Sequence, residues 1–262
     1  MLWRMRLPSF SSLRRVREAM RFARSILSGA FFLSFGAGGL LLSLVLLLPL
    51  PQTWPRKLFR ASFCLFVWAG EVTRLFRVEL SPADRKAIAS LRGAVVVANH
   101  PSLIDIVILV SLMGESVCIT KAAAGRNPFM RVIVRNVLIV NDGPIEVLER
   151  ARHALSQGMN VIVFPEGTRT PVDAEKHVFH RGAAQIALRT AAPVETVFIS
   201  SDPPVLGKVQ HWWEVGGRTV VYTVRYRGRI QIPSPKPADS ATALHSEAAK
   251  LAEQMHERIF AA

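Results

Sequence analysis

The chain has 262 residues, half of them hydrophobic, with 33 basic and 19 acidic residues and a net charge of +14. That length holds one core of ordinary size plus an appendage, and the charge calls for an anionic partner, of which lipid fits better than nucleic acid because no nucleic-acid module is evident. Its two cysteines, Cys64 and Cys118, both in apolar runs, offer neither a disulfide framework nor the ligand spacing of a zinc site.

The first 24 residues carry seven arginines and one acid. Residues 26–50 follow, apolar apart from serines and glycines, and 25 residues can span a hydrocarbon core of about 30 Å. No small-residue cleavage site follows, so this is not a signal peptide. The arginines place the N-terminus on the cytoplasmic side. Pro49, Pro51 and Pro55 then break the helix. A second apolar stretch, residues 58–76, contains Arg60, Glu71 and Arg74 and reads as an interfacial helix or a return hairpin. Both flanks of the first segment are basic, which favours a re-entrant hairpin in one leaflet. Buried core helices are the alternative reading, and the length of the first segment argues against it. The apolar anchor gives way to a polar linker near residues 77–82, dividing the chain into an anchor over 1–78 and a catalytic domain over 79–262.

Beyond that point, β-branched apolar runs recur at 94–98, 117–120, 137–140, 161–164 and 194–199. Helical patterns lie between them at 103–113, 128–135, 144–157 and 182–191. This alternation predicts an α/β fold: a mixed, largely parallel sheet covered by helices, with an N-terminal two-helix membrane anchor. A late strand over 219–227 puts Val220, Tyr222, Val224 and Tyr226 on one face. Arg225, Arg227 and Arg229 fall on the other, either a solvated edge or a basic stripe facing lipid headgroups. Trp212 and Trp213 precede it, and tryptophan favours membrane interfaces. A final amphipathic helix covers 240–260.

Two polar clusters end two of the predicted strands. The run Ala94-Val95-Val96-Val97-Ala98 leads into Asn99-His100-Pro101-Ser102-Leu103-Ile104-Asp105. Histidine titrates near neutrality, and a carboxylate on one ring nitrogen fixes its tautomer. Five residues of continuous helix turn through about 500°, which leaves the two side chains about 140° from facing. His100 therefore belongs in the strand-to-helix turn and Asp105 in the first helical turn, with Ser102 as the cap. No serine or cysteine is placed as a nucleophile, so direct attack by a substrate hydroxyl, with His100 as general base, is favoured over a covalent intermediate. The second run, Val161-Ile162-Val163-Phe164, ends in Pro165-Glu166-Gly167-Thr168-Arg169. Its glycine lets the backbone approach a ligand, and its arginine suits a phosphate.

These paired motifs resemble the glycerolipid acyltransferase family, whose best-known members are 1-acyl-sn-glycerol-3-phosphate acyltransferases. The resemblance covers residues 92–200 and, more loosely, the whole chain. It implies that His100 deprotonates an acceptor hydroxyl, with Asp105 as its orienting partner, and that the hydroxyl attacks an acyl thioester on CoA or acyl carrier protein. It assigns Glu166, Gly167, Thr168 and Arg169 to the acceptor-phosphate site. Lys121 matches a family lysine near the acyl carbonyl, where an ammonium stabilises an oxyanion; a solvated strand end is the plainer account. The chain departs from the pattern at Asn141-Asp142, where members carry Asp-Arg and assign the arginine to acceptor phosphate, and at Pro193-Val194-Glu195-Thr196 in place of Pro-Val-x-Pro. Arg181 stands in for a lysine expected before Gly182, at a helix N-terminus that favours anions. Arg135 is either a substitute cation or a solvated helix residue.

The resulting expectation is a membrane acyltransferase of phospholipid biosynthesis, on the cytoplasmic face of the inner membrane, acting on a lysophospholipid such as 1-acyl-glycerol-3-phosphate. It needs no cofactor and no metal, and takes no nucleic acid. The alternatives are a different lysolipid or amphiphile as acceptor, a metallohydrolase built on His100, Asp105 and Glu166, and a non-catalytic lipid-binding membrane protein.

Overall fold

The computed structural model describes residues 10–49, 51, 53–121, 138–211, 217–232 and 241–261. The helix expected over 128–135, with Arg135, and the pair Trp212 and Trp213 lie outside those residues. The elements run α1 (Phe10–Val45), α2 (Trp54–Val72), β1 (Phe76–Glu79), α3 (Pro82–Ser90), β2 (Val95–Ala98), α4 (Asp105–Leu112), β3 (Ser116–Lys121) and β4 (Leu138–Asn141). They continue with α5 (Pro144–Ser156), β5 (Asn160–Val163), α6 (Gly182–Thr190), β6 (Val194–Asp202), β7 (Val220–Ile230) and α7 (Ala241–Phe260). Seven strands form one sheet in the order β1-β7-β6-β2-β5-β3-β4. All neighbours are parallel except β6 and β7. This is the mixed, largely parallel α/β sheet expected.

The central strand shows why the apolar runs are continuous. Val95 and Val97 belong to the core beneath α5, α6 and α7, whereas Val96 and Ala98 belong to the core beneath α2 and α4. Both faces of β2 are covered, so no polar residue can alternate along it. The parallel strands β2, β3, β4 and β5 all end on one edge of the sheet. In open α/β sheets ligands bind outside such carboxyl ends, where the strand order changes direction.

The N-terminal helices form an antiparallel hairpin. Phe31 and Phe35 of α1 meet Phe66 of α2 at 4.8 Å, while Leu42, further along α1, packs near Phe59 and Phe63, earlier in α2. The expected two-helix anchor reduces to one candidate span. Residues Arg17–Val45 of α1 are long and apolar enough to cross a bilayer, and most of that surface is exposed. The second helix, α2, carries charge within its apolar stretch and buries one face. Phe66 stacks on Phe76 of β1, and Arg60 Nε donates to Met113 O beyond α4 at 2.7 Å. Gly70 makes that docking possible, because a Cβ there would overlap the Phe76 ring. Its other face exposes Trp54, Leu65 and Trp68.

The stretch read as a polar linker is instead a strand and a helix start. β1 pairs in register with β7 from Phe76–Val220 to Glu79–Thr223, and it runs across the expected division at 78. Ser81 caps α3 by accepting the Asp84 N–H at 3.0 Å. Two of the four β1 residues, Arg77 and Glu79, are charged and exposed, which masks the strand in the sequence.

In β7 the predicted alternation holds to Tyr226 and then breaks. A register shift opposite Thr196 and Val197 inserts an extra residue before Gly228, whose φ is +97°. Arg229 is thereby turned to the Tyr226 face, and both side chains reach the buried Glu195, at 2.6 Å for Arg229 Nε and 2.5 Å for the Tyr226 hydroxyl. Burial pushes the Tyr226 phenol up to about 12, helped by its hydrogen bond to Glu195. Arg227 lies 5.5 Å above the Phe198 ring. The three arginines are therefore not a single lipid-facing stripe, and β7 is not an edge strand.

Candidate active site

The site is built on two turns at neighbouring strand ends. Where β2 stops, Asn99 replaces strand pairing with its side chain: its amide donates to Ile199 O and accepts the Ile199 N–H, each at 2.7 Å. This ties the turn to β6 before the chain reaches His100. The His100 carbonyl accepts the Thr170 N–H at 2.9 Å, which joins the turn to the segment after β5. His100 Nδ1 lies 2.9 Å from Asp105 Oδ2. The same carboxylate oxygen accepts the Ser102 N–H at 2.7 Å. Asp105 is thus both the first residue of α4 and the acceptor that closes the turn leading into it. Ser102 does not cap with its hydroxyl as expected; that group pairs with the Tyr222 hydroxyl at 3.0 Å. The imidazole stacks on Phe164 at 4.2 Å and 21°. With the ring held by Phe164 and Nδ1 held by Asp105, Nε2 is the nitrogen left for a ligand.

Asp105 is completely buried, and burial raises its carboxyl above the ordinary carboxylate value. The His100 hydrogen bond and charge and the Ser102 N–H pull the other way, while the charge of Glu166 adds to the rise. Asp105 Oδ1 has no hydrogen-bond partner among the described residues. The carboxylate is therefore poised to gain from a positive charge on its histidine.

The second turn follows β5. The Gly167 N–H donates to Phe164 O at 3.1 Å, and Gly167 has a φ of +62°. A side chain there would be strained by that conformation and would press on the His180 ring at 3.3 Å. Glu166 departs from its expected place. Its side chain turns inward, where Oε1 lies 3.1 Å from His177 Nδ1, and it is not part of the cavity wall. A carboxylate beside a phosphate would be repelled; facing His177 it closes the loop instead.

The cavity outside these turns has a volume of about 840 Å³. His100, Lys121, Gly167, Thr168 and Arg169 line it together. Apolar side chains from α5, α6 and the strand ends, among them Ile119, Leu148 and Ile186, form the remainder. Among the described lining residues the charged side chains are Lys121, Arg169, Arg189 and Lys208, and no Asp or Glu is present. No Ser or Cys is among the described lining residues either, and Cys118 is buried elsewhere with its thiol pushed up to about 12. Arg181 departs from its expected place: it precedes α6 but turns to His245 of α7 and is not part of the cavity wall. Asp142 likewise faces away. It accepts from Arg150 Nη2 at 2.6 Å, which holds its carboxyl below the usual value.

Residues 81–200 match the Acyltransferase family model. They form an acyltransferase domain. The acyltransferase domain includes both motif turns and every strand from β2 to β5. The chain is also 28% identical over 130 residues to a 1-acyl-sn-glycerol-3-phosphate acyltransferase of Chlamydomonas reinhardtii. That alignment covers 47% of this chain and 37% of the relative, so it spans little more than a third of the relative's length. Its fold is that of a solved 1-acyl-sn-glycerophosphate (LPA) acyltransferase from Thermotoga maritima, with a TM-score of 0.64 at 22% identity over 92% of this chain and 98% of the other.

The sequence marked both motif turns but not their supports. Phe164 was visible as the end of an apolar run, with nothing to say that it lies beneath the imidazole. Lys208 and Arg189 were not singled out, because an isolated basic residue in a loop or a helix carries no pattern. His177 stands 11 residues after its partner Glu166, beyond any local spacing rule.

Proposed function

We propose that this protein transfers an acyl chain from a thioester, acyl-CoA or acyl carrier protein, to the free hydroxyl of a lysophospholipid. The acceptor on this reading is 1-acyl-glycerol-3-phosphate, and the setting is phospholipid biosynthesis at the cytoplasmic face of the inner membrane. The observation that carries the proposal is an oriented histidine opening on a cavity whose described lining has apolar walls, four cations and no carboxylate. Such walls suit an acyl chain, and the cations suit an anionic headgroup.

His100 is the general base and Asp105 its orienting carboxylate. With Asp105 ionised and Nδ1 protonated, Nε2 takes the proton of the acceptor hydroxyl as its oxygen attacks the thioester carbonyl. The imidazolium is stabilised by the buried carboxylate. The tetrahedral oxyanion then collapses, a C–O ester bond replaces the C–S bond, and the proton passes to the departing thiolate. Lys121, at the end of β3, is the candidate for stabilising the oxyanion. The Gly167-Thr168-Arg169 turn meets the acceptor headgroup. The basic segment and apolar face of α1 hold the enzyme at the membrane surface, where both lipids reside.

The test is acylation by detergent-purified protein supplied with labelled acyl-CoA or acyl carrier protein and a panel of lysolipids, with products identified by mass spectrometry. The expected result is a diacyl product that His100→Ala fails to make while retaining its circular dichroism spectrum. Full activity in that variant would overturn the proposal.

A further inference from the structure

An acceptor phosphate needs a cation beside His100, and the position where the resemblance expects an arginine holds Asp142, which is paired with Arg150 outside the cavity. Arg169 is the obvious substitute, yet part of its guanidinium is already engaged. Its Nη1 donates to Leu206 O and to Gly207 O, both at 2.8 Å. Those carbonyls belong to the loop between β6 and β7. Leu206 O also accepts the Leu103 N–H at 3.1 Å, three residues beyond His100. Leu206 is buried in the left-handed region, at φ +57°, a conformation that a non-glycine residue keeps only when its surroundings impose it. The turn is closed on its outer side by Gln210, which accepts the Gly207 N–H at 2.9 Å and donates to Pro204 O at 3.2 Å. The residue this tethered loop presents to the cavity is Lys208. Among the described residues no carboxylate lies within ion-pair distance of it.

We infer that Lys208 is a specificity residue whose ammonium binds the phosphate monoester of the acceptor, and that Arg169 positions it by clamping its loop to the His100 turn. The inference rests on the acyl-transfer reading above. A loop bonded at Leu206 to the residue chain that carries His100 keeps the ammonium and the base in fixed relation, so a headgroup held by Lys208 presents its hydroxyl at a set distance from Nε2. The phosphates of a CoA donor share the same chemistry, so the experiment must separate the two sources.

The experiment measures kcat/KM of the full chain for 1-acyl-glycerol-3-phosphate and for uncharged monoacylglycerol, each with acyl-CoA and with a phosphate-free acyl-pantetheine donor. In Lys208→Ala the ratio of the two acceptors' kcat/KM is expected to fall roughly tenfold with either donor, through KM more than kcat, the worth of one exposed charge-assisted hydrogen bond. Lys208→Arg should keep most of the ratio. An unmoved ratio overturns the inference, because a merely structural role lowers both acceptors alike. A penalty seen only with acyl-CoA also overturns it, since the ammonium would then serve the donor. Wild-type protein that acylates neither acceptor removes the underlying reaction and the inference with it, whereas wild-type transfer with an unmoved ratio removes the inference alone.

Discussion

Two histidine–carboxylate pairs lie at the same edge of the sheet, and they have opposite consequences. His100 and Asp105 are 2.9 Å apart; His177 and Glu166 are 3.1 Å apart. Each carboxylate is buried and each has one oxygen without a described partner. The difference lies at the second ring nitrogen. His177 Nε2 is 3.2 Å from Val172 O, so both nitrogens are occupied, and the ring is enclosed against Phe260 at 4.3 Å. Among the described residues His100 has a partner at Nδ1 alone, and it faces the cavity. A histidine beside an acid is a potential base only when its far nitrogen is free. With both nitrogens bonded it is a latch, here joining the Glu166 turn to the loop that follows it.

Removing the proposed base should have the largest effect. His100→Ala is expected to lower kcat by about 10² to 10⁴. The turn keeps its backbone bonds, and the fall in melting temperature is limited to the loss of one of the two partners of the buried Asp105 carboxylate. Asp105→Asn should come next, and its effects should diverge. Both the Ser102 N–H and His100 Nδ1 meet the one oxygen Oδ2. An amide NH2 there gives up the Ser102 bond, donates toward Nδ1 and moves the imidazole proton to Nε2. An amide oxygen there keeps both bonds but lacks the charge that stabilises the imidazolium, so the base is impaired either way. Stability should not fall. The Asp105 carboxyl is raised above its unfolded value, so the folded state holds its proton more tightly. Stability therefore drops as pH rises through that window, and the cost of a buried charge is in full force at neutral pH. Asp105→Asn should equal or exceed wild type in melting temperature at pH 7 and lose that advantage on acidification. A large destabilisation at pH 7 would mean that the His100 pairing outweighs burial.

The latch should respond in the reverse sense. His177→Ala leaves a buried carboxylate and the Val172 carbonyl without a donor, a cost on the order of 1–3 kcal/mol. Its signature is a lower melting temperature, with kcat per folded molecule reduced far less than in His100→Ala. A loss of kcat as deep as that of His100→Ala, at unchanged stability, would break the distinction between the two pairs.

How far each pair was legible in the sequence follows from its spacing. His100 and Asp105 are five residues apart beside a buried strand, and helical geometry alone put one in the turn and the other in the first helical turn. The motif groups Glu166 with Gly167, Thr168 and Arg169, which line the cavity, but its own inward turn depends on His177, which only the folded loop brings near. The sheet was legible wherever both faces are covered, as in β2 and β5, because burial on two sides forces unbroken apolar runs. It was hidden in β1, where Arg77 and Glu79 face solvent, and in β7 beyond Tyr226, where a bulge resets the alternation. Arg181 failed for a related reason: a residue preceding a helix is fixed by the backbone, but its side chain followed a partner on α7.

The smallest effect should come from the hydroxyl pair behind the His100 turn. Ser102 and Tyr222 are both buried and bonded at 3.0 Å, and burial pushes the Tyr222 phenol up, so it stays protonated throughout the physiological range. Tyr222→Phe removes that bond but keeps the ring against Phe76, 5.8 Å away. The expected cost is about 1 kcal/mol, the net worth of one buried neutral hydrogen bond. Catalysis should be nearly untouched, because Ser102 holds Asp105 through its backbone N–H and not through its hydroxyl. Denaturant melts paired with kcat measurements test this directly. A fall in kcat approaching that of Asp105→Asn would show that the hydroxyl pair, and not the backbone of the turn, sets the position of the carboxylate, and Tyr222 would then belong with His100 rather than with the latch.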